Sequence, residues 1–170
     1  MELLRRYGPY LLTVWILVVF VPSLMSKFSL APEARYIFTT IDRWATDTLG
    51  IAWLFGPGDV LGPMTIGILE GLASLLLLVG AALTFSARHR GLGARLHRDG
   101  VVLSLAVITG ALFFHLFTPL GINVGDPEQG IPKDGGTLFA MAVSVFLAAL
   151  VMLWMHHRGL WPEGGSEDGA

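Results

Sequence analysis

Apolar residues run almost without interruption through four stretches of the chain, residues 7–25, 62–85, 101–120 and 137–155. Each stretch is close to the ~20 residues that a helix needs to cross about 30 Å of hydrocarbon. Backbone groups in lipid must be hydrogen-bonded internally, and continuous apolarity without alternation is typical of helices. The pattern therefore predicts an all-α integral membrane protein, a four-helix bundle built within one domain, residues 1–160.

Between the first two stretches lies a long connection, residues 26–61, in which Ile37, Ile41, Trp44 and Thr48 recur at helical spacing. Polar residues occupy the other positions around the turn, which predicts an amphipathic helix on the outer membrane surface. At the other end of the chain, residues 161–170 are rich in glycine and acidic side chains and are expected to form a disordered tail.

Composition agrees with a membrane location: 54% of residues are hydrophobic, 14% are charged, and the mean hydropathy is +0.66. The lipid bilayer is therefore the first expected partner. The chain has no cysteine, so it has no disulfide and no thiolate metal site. Any redox chemistry must come from a bound cofactor or from a partner.

Arginines gather on one side of the predicted topology, and this asymmetry favours both termini in the cytoplasm. The positions on that side are Arg5, Arg6, Arg88, Arg90, Arg95, Arg98 and Arg158. We interpret the basic loop, residues 86–100, as a signal for orientation and expect no nucleic-acid partner. His89 and His97 belong to this loop, and His156 and His157 are expected at the membrane interface.

Two ionisable residues lie inside predicted spans, Glu70 in the second and His115 in the third. Counted from the outer helix ends at 1.5 Å per residue, they lie roughly 10 and 8 Å deep. A carboxylate at that depth needs a partner inside the bundle, and His115 is the candidate. Lys27, at the outer end of the first span, and Asp134, just before the fourth, would complete a ring of ligand-binding groups.

This pair has two interpretations. Glu70 and His115 are candidates for proton exchange with a ligand, or they are polar contacts that only hold helices together. A bis-histidine haem is not expected, because His115 is the only histidine inside a predicted span. One histidine with one carboxylate is also too few ligands for a metal site.

Several short motifs, "PSLMSKF", "ILEGLASLLLLVGAAL" and "FFHLFTP", make the chain resemble the DoxX/DoxD-like four-helix membrane proteins. Lys27, Glu70, Gly80 and His115 stand at positions that match the family pattern. The chain departs from it at Pro22 and Ser23, where the family usually has a small glycine, and in its longer outer connection.

The resemblance implies a bacterial inner-membrane protein associated with quinone-linked redox chemistry, at most a subunit of an oxidoreductase. It implies no covalent cofactor, a quinone-like ligand near Glu70 and His115, and membrane or periplasmic redox subunits as partners. A non-catalytic accessory subunit of a larger membrane complex is the alternative. A transporter of protons or small solutes is disfavoured, because no inverted repeat or broken helix is visible.

Overall fold

The computed structural model describes residues 2–161, with side chains from residue 7 onward. Five α-helices occupy this range: α1 (Glu2–Phe28), α2 (Pro32–Leu49), α3 (Pro63–Leu83), α4 (Arg90–Phe117) and α5 (Thr137–His157), with a short 3-10 helix at Pro127–Gln129. All except α2 are long and apolar enough to span a membrane. The predicted all-α fold with four membrane-spanning helices and an extra helix between the first two is confirmed.

The clearest difference from the predicted elements is the start of α4, which begins eleven residues earlier than residue 101, at Arg90. Most of the predicted basic loop is therefore helical, and the α3–α4 connection is confined to residues 84–89. The cause is the buried face of α4, where Gly93, His97, Gly100 and Ser104 follow one another at helical spacing. Small residues on this face let a polar segment continue the helix against α3.

The four spanning helices form a ring in the order α1, α3, α4, α5, and each helix is antiparallel to its two neighbours. Helices α3 and α4 make the most extensive contact. Gly80 of α3 lies directly against α4, because a Cβ atom there would be 2.4 Å from the backbone nitrogen of His97. Similarly, Gly100 of α4 lies against Leu77 of α3. These two contacts fix the register between the helices.

The middle of the bundle is apolar. Ile16, Phe20, Leu77, Val101 and Val145 come from all four spanning helices and are 1% exposed or less. The two buried serine hydroxyls near this depth, Ser74 and Ser104, donate to carbonyls of their own helices, Glu70 O and Gly100 O. Among the described residues, these hydroxyls therefore do not link the outer and inner ends of the bundle by hydrogen bonds.

Helix α2 lies across one end of the bundle, which we call the outer end. Its buried residues are Ala34, Phe38, Ile41 and Ala45. The predicted amphipathic helix is therefore confirmed, but the face that it buries is rotated about the helix axis from the predicted apolar face. Ile41 is common to both sets, whereas the predicted Thr48 is exposed. Ile41 packs against Leu120 and Val124 in the connection after α4, which places α2 over the outer end of the bundle.

Candidate functional site

The outer end contains a buried ion pair between α1 and α3. The Lys27 ammonium donates to both carboxylate oxygens of Glu70, at 3.0 Å each, and to Ser23 Oγ at 2.6 Å. Ser23 Oγ in turn donates to Glu70 Oε1 at 3.2 Å. The side chains of Lys27 and Glu70 are only 14% and 6% exposed, so this triad is largely removed from solvent.

Local helix geometry brings these three groups together. Ser23 precedes Lys27 by about one helical turn, so the two side chains are neighbours on the same face of α1. Gly67, three residues before Glu70, lets the end of α1 approach α3: a Cβ at Gly67 would lie 3.1 Å from the Phe28 ring. The ammonium has three N–H groups, and each has an acceptor within the triad.

His115 does not join this triad, and the predicted Glu70–His115 pair is wrong. Helix α4 ends at Phe117, so His115 lies in its last turn rather than several residues inside. The α3–α4 register puts His115 eight residues beyond the level of Glu70, about 12 Å along the bundle axis. His115 Nδ1 instead donates to Gly121 O at 2.7 Å, and its ring packs edge-on against Phe139.

Asp134 also lies apart from the triad and stabilises the backbone before α5. Its Oδ1 accepts hydrogen bonds from Val124 N and Gly136 N, and its Oδ2 accepts one from Leu138 N. These bonds satisfy amide groups at the start of α5 and hold the preceding loop against it. Of the four predicted ligand-binding residues, the structure therefore brings only Lys27 and Glu70 together.

A second polar cluster, which the hydropathy pattern does not predict, lies at the inner end of the bundle. His97 of α4 is completely buried; its Nε2 is 2.8 Å from Thr13 Oγ1, and its Nδ1 is 3.0 Å from His156 Nε2. The indole of Trp161 stacks on the His97 ring with 3.7 Å between centroids. The prediction that His97 lies in a loop is wrong, and both His97 and His115 are buried in the bundle.

The hydrogen bonds of this inner cluster indicate one direction of donation. Thr13 Oγ1 donates to Pro9 O, so it accepts the proton of His97 Nε2. His97 Nδ1 then accepts from His156 Nε2. Because the two imidazoles bond directly to each other, there is no space between them for a haem plane. The cluster links α1, α4 and α5.

Two sequence signals mark the missed residues. His97 falls on the buried stripe of α4 when the spacing of Ile108, Ser104 and Gly100 is extended backward. Ser23 is four residues from Lys27, which is the spacing of neighbours on one helix face. Trp161, assigned to the tail, is 1% exposed and belongs to the bundle; the rest of the predicted tail, residues 162–170, lies outside the described residues.

The fold and the site together define a multi-pass membrane protein with a buried Lys–Glu ion pair at its outer end and a histidine pair at its inner end. Within residues 2–161, no three histidine, cysteine, aspartate or glutamate side chains come together in a way that would hold a metal ion. Comparisons with protein-family models, with curated proteins and with solved structures gave no match to this chain.

Proposed function

We propose that this protein is a bacterial inner-membrane subunit that binds a quinone-class ligand at the outer end of its bundle. The observation that carries the proposal is the buried Lys27–Glu70 ion pair. Burying an ion pair is expensive, and apolar side chains of similar volume often give equal or greater stability. Ionisable groups inside a membrane bundle are therefore functional candidates by default.

The chemistry of the pair suits both forms of a quinone. An ammonium donates a hydrogen bond to a quinone carbonyl oxygen, and a carboxylate accepts the O–H of the reduced ligand and takes its proton. Ser23 is the neutral member of the triad, and its hydroxyl accepts a hydrogen bond from Lys27. A quinone oxygen would take the place of this hydroxyl as the acceptor. Lys27 would orient the ligand head and Glu70 would exchange the proton.

The resemblance to DoxX/DoxD-like proteins supports the same class of function, since Lys27 and Glu70 stand at two of the matching positions. It also supports redox subunits of the membrane or periplasm as partners, with both termini of this chain in the cytoplasm. His115 and Asp134 are bonded to backbone groups away from the triad. The proposed head site therefore consists of Ser23, Lys27 and Glu70.

An accessory subunit without a ligand is the second candidate. It is favoured by one observation, that all three N–H groups of the Lys27 ammonium already have acceptors within the chain. A transporter is less compatible with the structure. Thr13 of the inner cluster and Ser23 of the outer triad are ten residues apart along α1, about 15 Å, and the buried residues of α1 between them, Ile16 and Phe20, are apolar.

The test is the composition of the protein after extraction in a mild detergent. Organic extracts of the wild type and of Lys27→Met/Glu70→Leu would be analysed for quinones by mass spectrometry. The double variant removes both charges together, so it is expected to fold. Ser104→Ala is the control, because this hydroxyl is buried but bonds only to its own helix.

We expect quinone in the wild type and in Ser104→Ala, and none in the double variant. Quinone retained by the double variant would refute the assignment to Lys27 and Glu70. Wild-type protein that carries stoichiometric partner subunits and no quinone would establish the accessory role instead.

A further inference from the structure

The seam between α1 and α5 is the loosest contact around the ring of helices and contains a groove. The groove has a volume of about 400 Å³, and its walls include Trp15 of α1, Gly136 immediately before α5, and Ala140, Met141 and Ser144 of α5. Ala140 is exposed at the seam, and the groove lies along helices that span the membrane. An occupant of this groove must therefore be apolar along most of its length.

The position of the groove along the bundle follows from the register between α1 and α5. At its inner end, Trp15 Nε1 donates to Ser144 Oγ at 3.1 Å, and this bond connects the two walls. Because α1 and α5 are antiparallel, Ser23, eight residues after Trp15, lies at the level of Gly136. The outer end of the groove is therefore at the level of the triad.

A stripe of side chains along one side of α1 connects the groove to the triad. Trp15, Val19, Ser23 and Lys27 are four residues apart, and such positions follow one side of a helix with a slow drift. Trp15 faces α5 at the start of the stripe, and Lys27 contacts Glu70 of α3 at its end. A ligand lying along this stripe would pass from the ion pair into the groove.

We propose that the α1–α5 groove holds the isoprenoid tail of the ligand whose head is bound by Lys27 and Glu70. This inference rests on the proposed function. The groove volume lies within the range of small-molecule sites, roughly 300–1,000 Å³. Its length runs from Gly136, just before α5, to Ser144, which is about 12 Å at the helical rise. The Trp15–Ser144 hydrogen bond sets its inner limit.

The test uses two probes with the same ring, ubiquinone-2, which has an isoprenoid tail, and ubiquinone-0, which has none. Equilibrium binding of each is measured with the purified full-length chain in detergent. Ala140→Phe fills the groove. Ala106→Phe is the matched control, because Ala106 is also an exposed alanine on a spanning helix but lies on α4, away from the seam.

We expect Ala140→Phe to weaken ubiquinone-2 binding at least about tenfold, a change of about 1.4 kcal/mol, and to leave ubiquinone-0 binding unchanged. Ala106→Phe should change neither. If the wild type binds both probes and Ala140→Phe alters neither affinity, the tail site is wrong while the head site stands. If the wild type binds neither probe, the proposed function fails and this inference fails with it.

Discussion

Lys27 and Glu70 share two hydrogen bonds of equal length, 3.0 Å to each carboxylate oxygen, across the packed interface between α1 and α3. The contact joins residues 43 positions apart in the chain. Ser23 bonds to both residues, because its hydroxyl accepts a hydrogen bond from Lys27 and donates one to Glu70. Each charge is therefore paired inside the bundle, and the free-energy cost of burying one charge depends on the presence of the other.

Removing one charge should be far more damaging than removing both. Glu70→Leu leaves the Lys27 ammonium buried without its counter-charge, and we expect a loss of about 3–5 kcal/mol in the free energy of unfolding. Adding Lys27→Met should restore most of that loss. Thermal unfolding in detergent, followed by circular dichroism, measures both variants. A double variant as unstable as the single one would contradict the expected coupling.

Glu70→Gln and His115→Ala should act independently. The two side chains are separated by about 12 Å along the axis and have no common partner in the described hydrogen bonds. Their effects on unfolding free energy should then add within about 0.5 kcal/mol. A double-mutant cycle makes the measurement, and a coupling well above that value would revive a direct pair.

Gly80→Ala should disrupt the contact between α3 and α4. The added methyl carbon would lie 2.4 Å from the His97 backbone nitrogen, so the helices must separate or shift. We expect a loss of more than about 3 kcal/mol, at or above the usual cost of overpacking. Gly110→Ala is the control, because nothing lies within 4 Å of its position. Alanine there should be neutral or stabilising by up to about 1 kcal/mol.

Helix α2 should be protected from hydrogen exchange by its packing on the outer end. Its buried residues include Phe38 and Ile41, which are 6% and 4% exposed. Exchange mass spectrometry of the wild type should show peptides within residues 33–49 exchanging more slowly than peptides from the C-terminal tail. Phe38→Ala should accelerate exchange in α2 only. Equal exchange rates in the two regions would contradict the packing of α2 on the outer end of the bundle.

The absence of cysteine makes the predicted orientation easy to test. A single cysteine at Gln129, in the outer connection, should react with a membrane-impermeant maleimide in intact cells. A single cysteine at Ser166, near the C-terminus, should react only after the cells are opened. Labelling of the Ser166 position in intact cells would overturn the assignment of both termini to the cytoplasm.

The number and class of helices were predictable because the membrane imposes long apolar segments with satisfied backbones. The ends of these helices were less predictable, as α4 shows. Its first turns carry arginines and glycines, and they are helical because Gly93, His97 and Gly100 pack against α3. Hydropathy measures preference for lipid, whereas this segment is ordered by packing against another helix.

The site was half predictable for a related reason. Glu70 was identified because a carboxylate in an apolar run requires a partner, but the sequence did not determine which partner. The predicted depth of His115 was wrong for two reasons: the third span was placed three residues too far toward the outer side, and α4 extends about three residues beyond the start of α3 at that end. Lys27 reaches Glu70 from the end of α1 because its flexible side chain turns into the bundle, which periodicity alone does not reveal.

The apolar core has a consequence for bioenergetics. Under the proposed function, a proton exchanged at Glu70 meets the buried apolar side chains of Ile16, Phe20 and Leu77 on the way to the inner end, so it would come from and return to the aqueous phase at the outer end. Oxidation of a hydroquinone there, with its electrons passed to a partner redox subunit, would release its protons on that side alone. Unless a partner subunit supplies a second route, this chain would move no charge across the membrane and would act as a one-sided docking point for the ligand.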